Sequence, residues 1–476
     1  MEVPMEKKNK HPDYMSTRGE RWSYWSYFVG QNFSYALMVM ILPTYLLMVG
    51  VDVTKIAAAI FIVKAWDAVN DVFFGIIFDK VKFKSGLKCI PWIRISFICL
   101  AVGSLLMYLI PGGLSENGKL IWFIVSYILW DTAYTLTDVP IYSLVSSMTS
   151  NLGERNSILS IGRIFATGAA GIAFLASTVL VSEQVGLGFL PVAIVLCIGI
   201  LLSMIPMGIT GRERVVPETE EDSYTIRGML KYLRTNKYLL YFFSGYMISG
   251  LLGTSGAVEL FVSYYLFGSA LFSTLIYVIA AGPMVLVALF MPKLLQRFDK
   301  FKMYRNCTAL CVLIGFIIYF VGYKNITIYI ILALLRAVPF AVVGILGLTF
   351  TPDCVEYGLY KTGIDARGIA FAVQSFAAKF NSVSQSISLF VLGLFGWATI
   401  EAASFAELET MNITQSAAAL NGLWITYALV PVVGGLLSLI PYFLYKLNDK
   451  DIQVMAKCNS GEISKEEAKT QLSRNY

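Results

Sequence analysis

Lys64-Ala65-Trp66-Asp67-Ala68-Val69-Asn70-Asp71 sits in the middle of an apolar run that extends from residue 53 to residue 79. The run exceeds the ~20 residues a helix needs to cross a hydrocarbon core of ~30 Å, so it predicts a membrane span. A charge near the bilayer centre costs at least ~2.5 kcal/mol on insertion scales, and charges that persist there usually face a partner or a polar cavity. At about 100° per residue, Lys64, Asp67, Asn70 and Asp71 share one arc, while Ile60, Ile62 and Val69 spread over apolar faces. Two carboxylates one turn apart, with an amide beside them, supply the hard oxygen ligands that Na⁺ needs. They equally make a proton-binding pair. A salt bridge of Lys64 with Asp67 would need one acid, and the sequence provides two.

The rest of the chain fits this reading. With 57% hydrophobic residues, 14% charged residues and a mean hydropathy of +0.67, it is too apolar for a soluble globular domain. The net charge of +6 is spread over loops between apolar runs, which excludes a nucleic-acid-binding surface. The seven cysteines lack metal-ligand spacing and are read as reduced thiols. His11, the one histidine, lies in the polar N-terminal tail, which excludes catalysis by an intramembrane imidazole. No Walker-type loop is present to bind ATP, so any transport is secondary and the chain is not read as an enzyme.

Spans are expected near 24–49, 53–79, 90–111, 120–146, 157–182 and 187–210, then near 239–267, 270–294, 304–323, 326–350, 368–397 and 419–446. This is an all-α membrane protein of about twelve helices. Basic residues crowd alternate loops: Lys80, Lys82, Lys84 and Lys88 follow the second span, and Arg297, Lys300, Lys302 and Arg305 follow the eighth. The loops between them hold little beyond Lys119 and Lys324. By the positive-inside bias, both termini face the cytoplasm, and the cell membrane is the expected location. The organisation is a tail at 1–23, a six-helix half at 24–210, a linker at 211–238, a second half at 239–446 and a tail at 447–476. An internal echo supports related halves, since Asp79-Lys80-Val81-Lys82 recurs 220 residues later as Asp299-Lys300-Phe301-Lys302. Parallel six-helix repeats are the build of major facilitator transporters.

Further polar residues mark the lining. Asp131, Thr135, Asp138 and Tyr142, spaced 4, 3 and 4, form one stripe down the fourth span. Thr135 offers a hydroxyl to a cation, Asp138 accepts from substrate hydroxyls, and Tyr142 presents either an aromatic face to a sugar or a packing surface. Arg163 in the fifth span is a fork for bidentate hydrogen bonds. In the eleventh, Gln374, Ser375, Lys379, Ser382 and Ser386 are polar, and Lys379 requires an acidic partner. Gln31 and Asn32 interrupt the first span, and Glu259 is a further acid in the seventh without an assigned partner.

Trp66-Asp67-Ala68-Val69-Asn70-Asp71, Gly86-Leu87-Lys88-Cys89-Ile90-Pro91-Trp92, Tyr134-Thr135 through Pro140, and Asp353-Cys354-Val355-Glu356-Tyr357-Gly358 together resemble the glycoside-pentoside-hexuronide:cation symporters. The resemblance covers nearly all the spans. It implies a cation site of Asp67, Asn70, Asp71 and Thr135, with Asp67 and Asp71 as metal ligands if the ion is Na⁺. It implies substrate contacts at Asn32, Asp138, Tyr142, Arg163, Gln374, Ser375 and Lys379. Lys64, Asp131, Glu259, Asp353 and Glu356 are assigned gating or auxiliary roles, with Asp353 and Glu356 resembling the family's cytoplasmic ion pairs. Gln31, Asn32 and Tyr142 depart from the family's galactoside-binding pattern, and Asp131 adds an acid next to the site.

The expected function is therefore symport of a sugar with Na⁺ or H⁺ by alternating access, without a cofactor and as a monomer in the bilayer. A carrier of lysolipids or other amphipathic substrates is the rival reading. It is disfavoured by the dense polar lining of the fourth and eleventh spans.

Overall fold

The computed structural model describes residues 14–81, 83–214 and 232–476. Most of the N-terminal tail, Lys82 and the centre of the expected linker lie outside the described residues. So do the side chains at 68, 69, 71–73, 75, 76 and 79, which include Asp71 and Asp79.

The described residues are helical throughout, with one isolated antiparallel bridge between Val49 and Glu401. The helices are α1 (Arg18–Ala36), α2 (Leu42–Leu46), α3 (Val53–Lys80), α4 (Ile90–Tyr108), α5 (Glu116–Met148), α6 (Leu152–Val181) and α7 (Phe189–Thr210). There follow α8 (Lys237–Leu251), α9 (Ser255–Phe267), α10 (Phe272–Arg297), α11 (Lys300–Val321), α12 (Ile326–Leu346) and α13 (Phe350–Thr362). The last are α14 (Arg367–Asn381), α15 (Ser384–Leu394), α16 (Phe405–Thr410), α17 (Ala417–Trp424), α18 (Val430–Leu444), α19 (Asp449–Asn459) and α20 (Lys465–Gln471). Short polar side chains start many of them by accepting from otherwise unpaired backbone N–H groups. Asp52 opens α3, Ser115 opens α5 and Asn151 opens α6, while Thr17 and Glu20 form a reciprocal capping box at α1.

Among the described residues, nine helical stretches are long and apolar enough to cross a membrane. The other three expected spans are helical but broken or charged. The first is interrupted by a π-turn at Leu37–Ile41 between α1 and α2. The second is the continuous 28-residue α3, diluted by Lys64, Asp67 and Asp71. The eleventh divides at Ser382 and Val383 into α14 and α15. Only the break in the eleventh falls within a polar cluster singled out in the sequence, between Lys379 and Ser386, whereas the π-turn of the first is apolar and lies beyond Gln31 and Asn32.

The chain forms two compact units. Unit 1 contains α1–α7 together with residues 398–414, and unit 2 contains the remaining C-terminal helices. Within unit 1, α1 packs on α6 and α7, α4 on α5 and α7, and α3 on α5. Gly103 permits the close α4–α5 approach, because a Cβ there would lie 2.9 Å from the Trp130 Cα. Residues 398–414 join the end of unit 1 that carries the α2–α3 connection. Gly50 N–H donates to the Ile400 carbonyl (2.8 Å), Ala402 N–H to that of Met48 (3.0 Å) and Phe189 N–H to that of Ala403 (3.2 Å). The buried Lys119 donates to Glu401 Oε1 (2.7 Å) and to the Val49 carbonyl (2.8 Å).

Within unit 2, α8 packs against α14 and α18, and α11 against α12 and α18. One end is filled by an aromatic core that includes Tyr238, Phe242, Phe301, Tyr304, Phe350, Tyr357, Tyr442, Tyr445 and Tyr476. The C-terminal segment docks there. Asp451 accepts from the Ser473 N–H (2.9 Å) and from the Ser473 and Tyr476 hydroxyls, while Glu462, Lys465, Glu466, Glu467 and Lys469 stay exposed.

Candidate functional site

The site in unit 1 is built where α3 crosses α5. Asn70 is 1% exposed, and its Nδ2 donates to Asp131 Oδ2 (2.9 Å) and Thr135 Oγ1 (3.2 Å). Asp131 and Thr135 lie one turn apart on α5 and are themselves buried. An ionised carboxylate can only accept, so it is the amide nitrogen that faces Asp131. One face of α3 is thereby tied to one face of α5. Lys64, less than two turns earlier, donates to the Tyr127 hydroxyl (2.7 Å) and lies over that ring, 5.2 Å from its centroid. Asp67 is half-buried and within electrostatic reach of Tyr127 and Tyr134. The side chain of Asp71 lies outside the described residues. No group of three acidic, thiol or imidazole side chains converges among the described residues in an arrangement that would hold a metal.

One further turn along α5, Asp138 Oδ1 accepts from Gln31 Nε2 (2.7 Å) on α1. Asn32 instead turns back on its own helix and donates to the Phe28 carbonyl (2.9 Å). The polar pair of the first span is thus divided, with Gln31 holding Asp138 and Asn32 satisfying local backbone. Tyr142 is 49% exposed, packs edge-on against Phe28 (5.5 Å, 61°) and is within electrostatic reach of Asp138 and of the exposed Arg163. The α5 stripe is therefore real as a surface: Asp131 and Thr135 meet α3, Asp138 meets α1, and Tyr142 stays open.

In unit 2, Gln374 accepts a hydrogen bond from the buried Thr351 hydroxyl, and Ser375 is exposed. The break after Asn381 places Lys379 in the last turn of α14, where its cation complements the carbonyl end of the helix. Ser382 closes that turn by donating to the Lys379 carbonyl (2.6 Å). Glu259 is on α9, with Oε1 buried and without a hydrogen-bond partner.

Asp353 and Glu356 lie on α13 but have different partners. Asp353 forms an ion pair with Lys300, and both side chains are largely buried. Asp449 accepts from the Lys300 N–H (2.6 Å), and Asp299 accepts in turn from the Asp449 N–H (3.0 Å). Burial pushes the Asp353 carboxyl up to about 6, against the pull of the Lys300 charge. Glu356 is not ion-paired among the described residues. It accepts from Asn459 Nδ2 at its carboxylate (2.8 Å) and its carbonyl (3.0 Å), so it anchors the C-terminal segment. Two contacts escape any reading of local sequence, because Gln31 and Asp138 are 107 residues apart and Lys119 and Glu401 are 282 apart. The one available signal was that Gln31 is polar within an apolar span.

The chain is 27% identical over 463 residues to the isoprimeverose transporter of Lactiplantibacillus pentosus, covering 92% of this chain and 90% of that one. It is 26% identical over 447 residues to the glucuronide carrier protein homolog of Escherichia coli (strain K12), covering 89% and 91%. In fold it is similar to a bacterial homologue of the human lysosomal transporter Spinster, with a TM-score of 0.62 at 11% identity over 90% of this chain and 98% of that one. The MFS/sugar transport protein family matches residues 28–449. Nine apolar helical stretches among the described residues thus belong to a multi-pass membrane protein, and the chain belongs to the MFS/sugar transport protein family.

Proposed function

We propose that this chain is a secondary active symporter that carries a glycoside, pentoside or hexuronide together with Na⁺ or H⁺. The observation that carries the reading is Asn70, a buried amide that bonds an acid and a hydroxyl on the neighbouring helix inside a span. The names of its relatives, an isoprimeverose transporter and a glucuronide carrier homolog among them, support a sugar. A relative of Escherichia coli (strain K12) named as a putative glycoside/cation symporter, 22% identical over 397 residues, supports a coupling cation.

In this mechanism the cation is cargo. Asp67, Asn70, Asp71 and Thr135 bind it, with Asp131 adding negative charge through its bond to Asn70. Asp138, held by Gln31, accepts from sugar hydroxyls, with Arg163 and Tyr142 beside it on the same unit. In unit 2, Gln374, Ser375 and Lys379 supply further contacts, and the Lys300–Asp353 pair acts as a gate in the cell-membrane protein, with both termini cytoplasmic. Cation binding neutralises the carboxylates and favours the sugar-binding state, and sugar must favour cation binding by the same factor.

The test is uptake by proteoliposomes of a labelled pentoside, hexoside and hexuronide, each under a Na⁺ gradient, a pH gradient or neither. Accumulation is expected under one gradient and is lost in Asp67→Asn and Asp71→Asn. If both variants still accumulate sugar against its gradient, the cation site is elsewhere.

A further inference from the structure

Glu259, half-buried with its Oε1 atom buried, is an acid that the proposed mechanism leaves unused. It sits on α9, whose start is pinned inside unit 2: the Ser255 hydroxyl donates to the Tyr427 carbonyl (2.9 Å), the Thr254 hydroxyl donates to the Thr426 carbonyl, and the Ser388 hydroxyl donates to the Thr254 carbonyl (3.0 Å). Oε1 of Glu259 is buried with no hydrogen-bond partner. The carboxyl is within electrostatic reach of Tyr277 on α10, Tyr329 on α12 and Tyr427 in the π-turn Ile425–Leu429. α15 and α17, which also pack on α9, bring no ionisable side chain to it.

The Tyr329 and Tyr427 hydroxyls bond each other at 2.9 Å, and either can be the donor. Arg336, two turns from Tyr329 on α12, is within electrostatic reach of the same two tyrosines, and its buried Nε also has no partner. Glu259 and Arg336 make no direct ion pair among the described residues. A carboxylate with a buried oxygen unsatisfied among the described residues therefore lies within electrostatic reach of one reversible pair of hydroxyls.

That arrangement provides for both states of the acid. A hydroxyl pair always holds one proton not shared between its members and has lone pairs to spare, so it can donate to a carboxylate or accept from a carboxylic acid by reversing its direction. An intramembrane acid with no fixed ion-pair partner is unfavourable as a purely structural group, and such residues mark proton or ion pathways. We propose that Glu259, with Tyr329 and Tyr427, is a proton-binding site inside unit 2, which loads and releases one proton independently of the cation site on α3 and α5.

The experiment uses the full-length protein in proteoliposomes without sugar or Na⁺, so that it succeeds or fails separately from the symport reading. Infrared difference spectra are recorded between about pH 5 and about pH 9, a range that brackets ordinary and raised carboxyl titrations. The wild type is expected to gain carboxylic-acid C=O bands on acidification, with one component that Glu259→Gln loses and that Asp353→Asn, which removes a different acid titrating in this range, retains. Tyr329→Phe keeps the acid but leaves a single hydroxyl of the pair, and is expected to move the midpoint of that component by about one pH unit or more. An unchanged set of bands in Glu259→Gln overturns the proposal. If Glu259→Gln does not yield folded protein, Tyr329→Phe decides instead, and an unmoved midpoint overturns it equally.

Discussion

Removing the Asn70 amide tests the α3–α5 junction on which the site rests. In Asn70→Ala, Asp131 loses a 2.9 Å donor and Thr135 a 3.2 Å donor, at positions 4% and 5% exposed where water cannot readily substitute. A hydrogen bond to a charged group contributes ~1.5–3 kcal/mol and a neutral one ~0.5–1.5 kcal/mol, so the variant should lose roughly 2–4 kcal/mol. The same junction is probed from the other side by Asp131→Ala. If the two residues interact as described, the double variant loses less than the two single losses together, by about 1–2 kcal/mol. The assay is denaturant titration of purified protein in mild detergent, with the apparent melting temperature as a second readout. Losses that add within ~0.5 kcal/mol would mean that Asn70 and Asp131 do not act on each other, and would refute the geometry. A cation titration on the same proteins separates stability from function. Asn70→Ala should bind the coupling cation more weakly even at temperatures where it is fully folded.

Three other outcomes follow from the coordinates. Gly50 has φ +75°, and an added Cβ would lie 2.9 Å from Glu401 Cδ. Gly50→Ala should therefore cost ~1–2 kcal/mol for the left-handed backbone, in addition to displacing Glu401 from Lys119. Gly113→Ala, in open space, should leave the melting temperature unchanged. For Asp353 the folded carboxyl is near 6 against an ordinary 3.8. Folded unit 2 therefore holds a proton that the unfolded chain releases. This stability is fully present below about pH 4, is lost as pH rises to about 6, and is level above that, a fall of roughly 3 kcal/mol that Asp353→Asn should abolish. Tyr476 is 8% exposed, and its ring lies 5.9 Å from that of Tyr238 and 6.1 Å from that of Tyr357. Tyr476→Ala should destabilise unit 2 by ~1.5–3 kcal/mol in the same denaturant assay, while Glu466→Ala on the exposed face should have little effect.

The sequence by itself determined that the chain crosses a membrane many times and which residues do not belong in lipid. Both are local properties. A 26-residue apolar helix such as α10 is recognisable from hydropathy alone, and Lys64, Asp67, Asn70 and Asp71 stand out because hydrocarbon penalises each of them wherever the rest of the chain lies. The 4, 3, 4 spacing likewise placed Asp131, Thr135, Asp138 and Tyr142 on one face, since helical periodicity needs no partner. Partners were another matter. Nothing local distinguishes Gln31 from Asn32, yet packing of α1 on its neighbours turns the first toward Asp138 and leaves the second on its own backbone. Asp353 and Glu356, three residues apart, are separated by what packs over α13: Lys300 reaches one and Asn459 the other. The π-turn at Leu37–Ile41 and the attachment of residues 398–414 to unit 1 were also decided only in three dimensions. Hydropathy fixes the medium each residue tolerates, but a hydrogen bond depends on the distance between groups far apart in the chain, which tertiary packing alone sets.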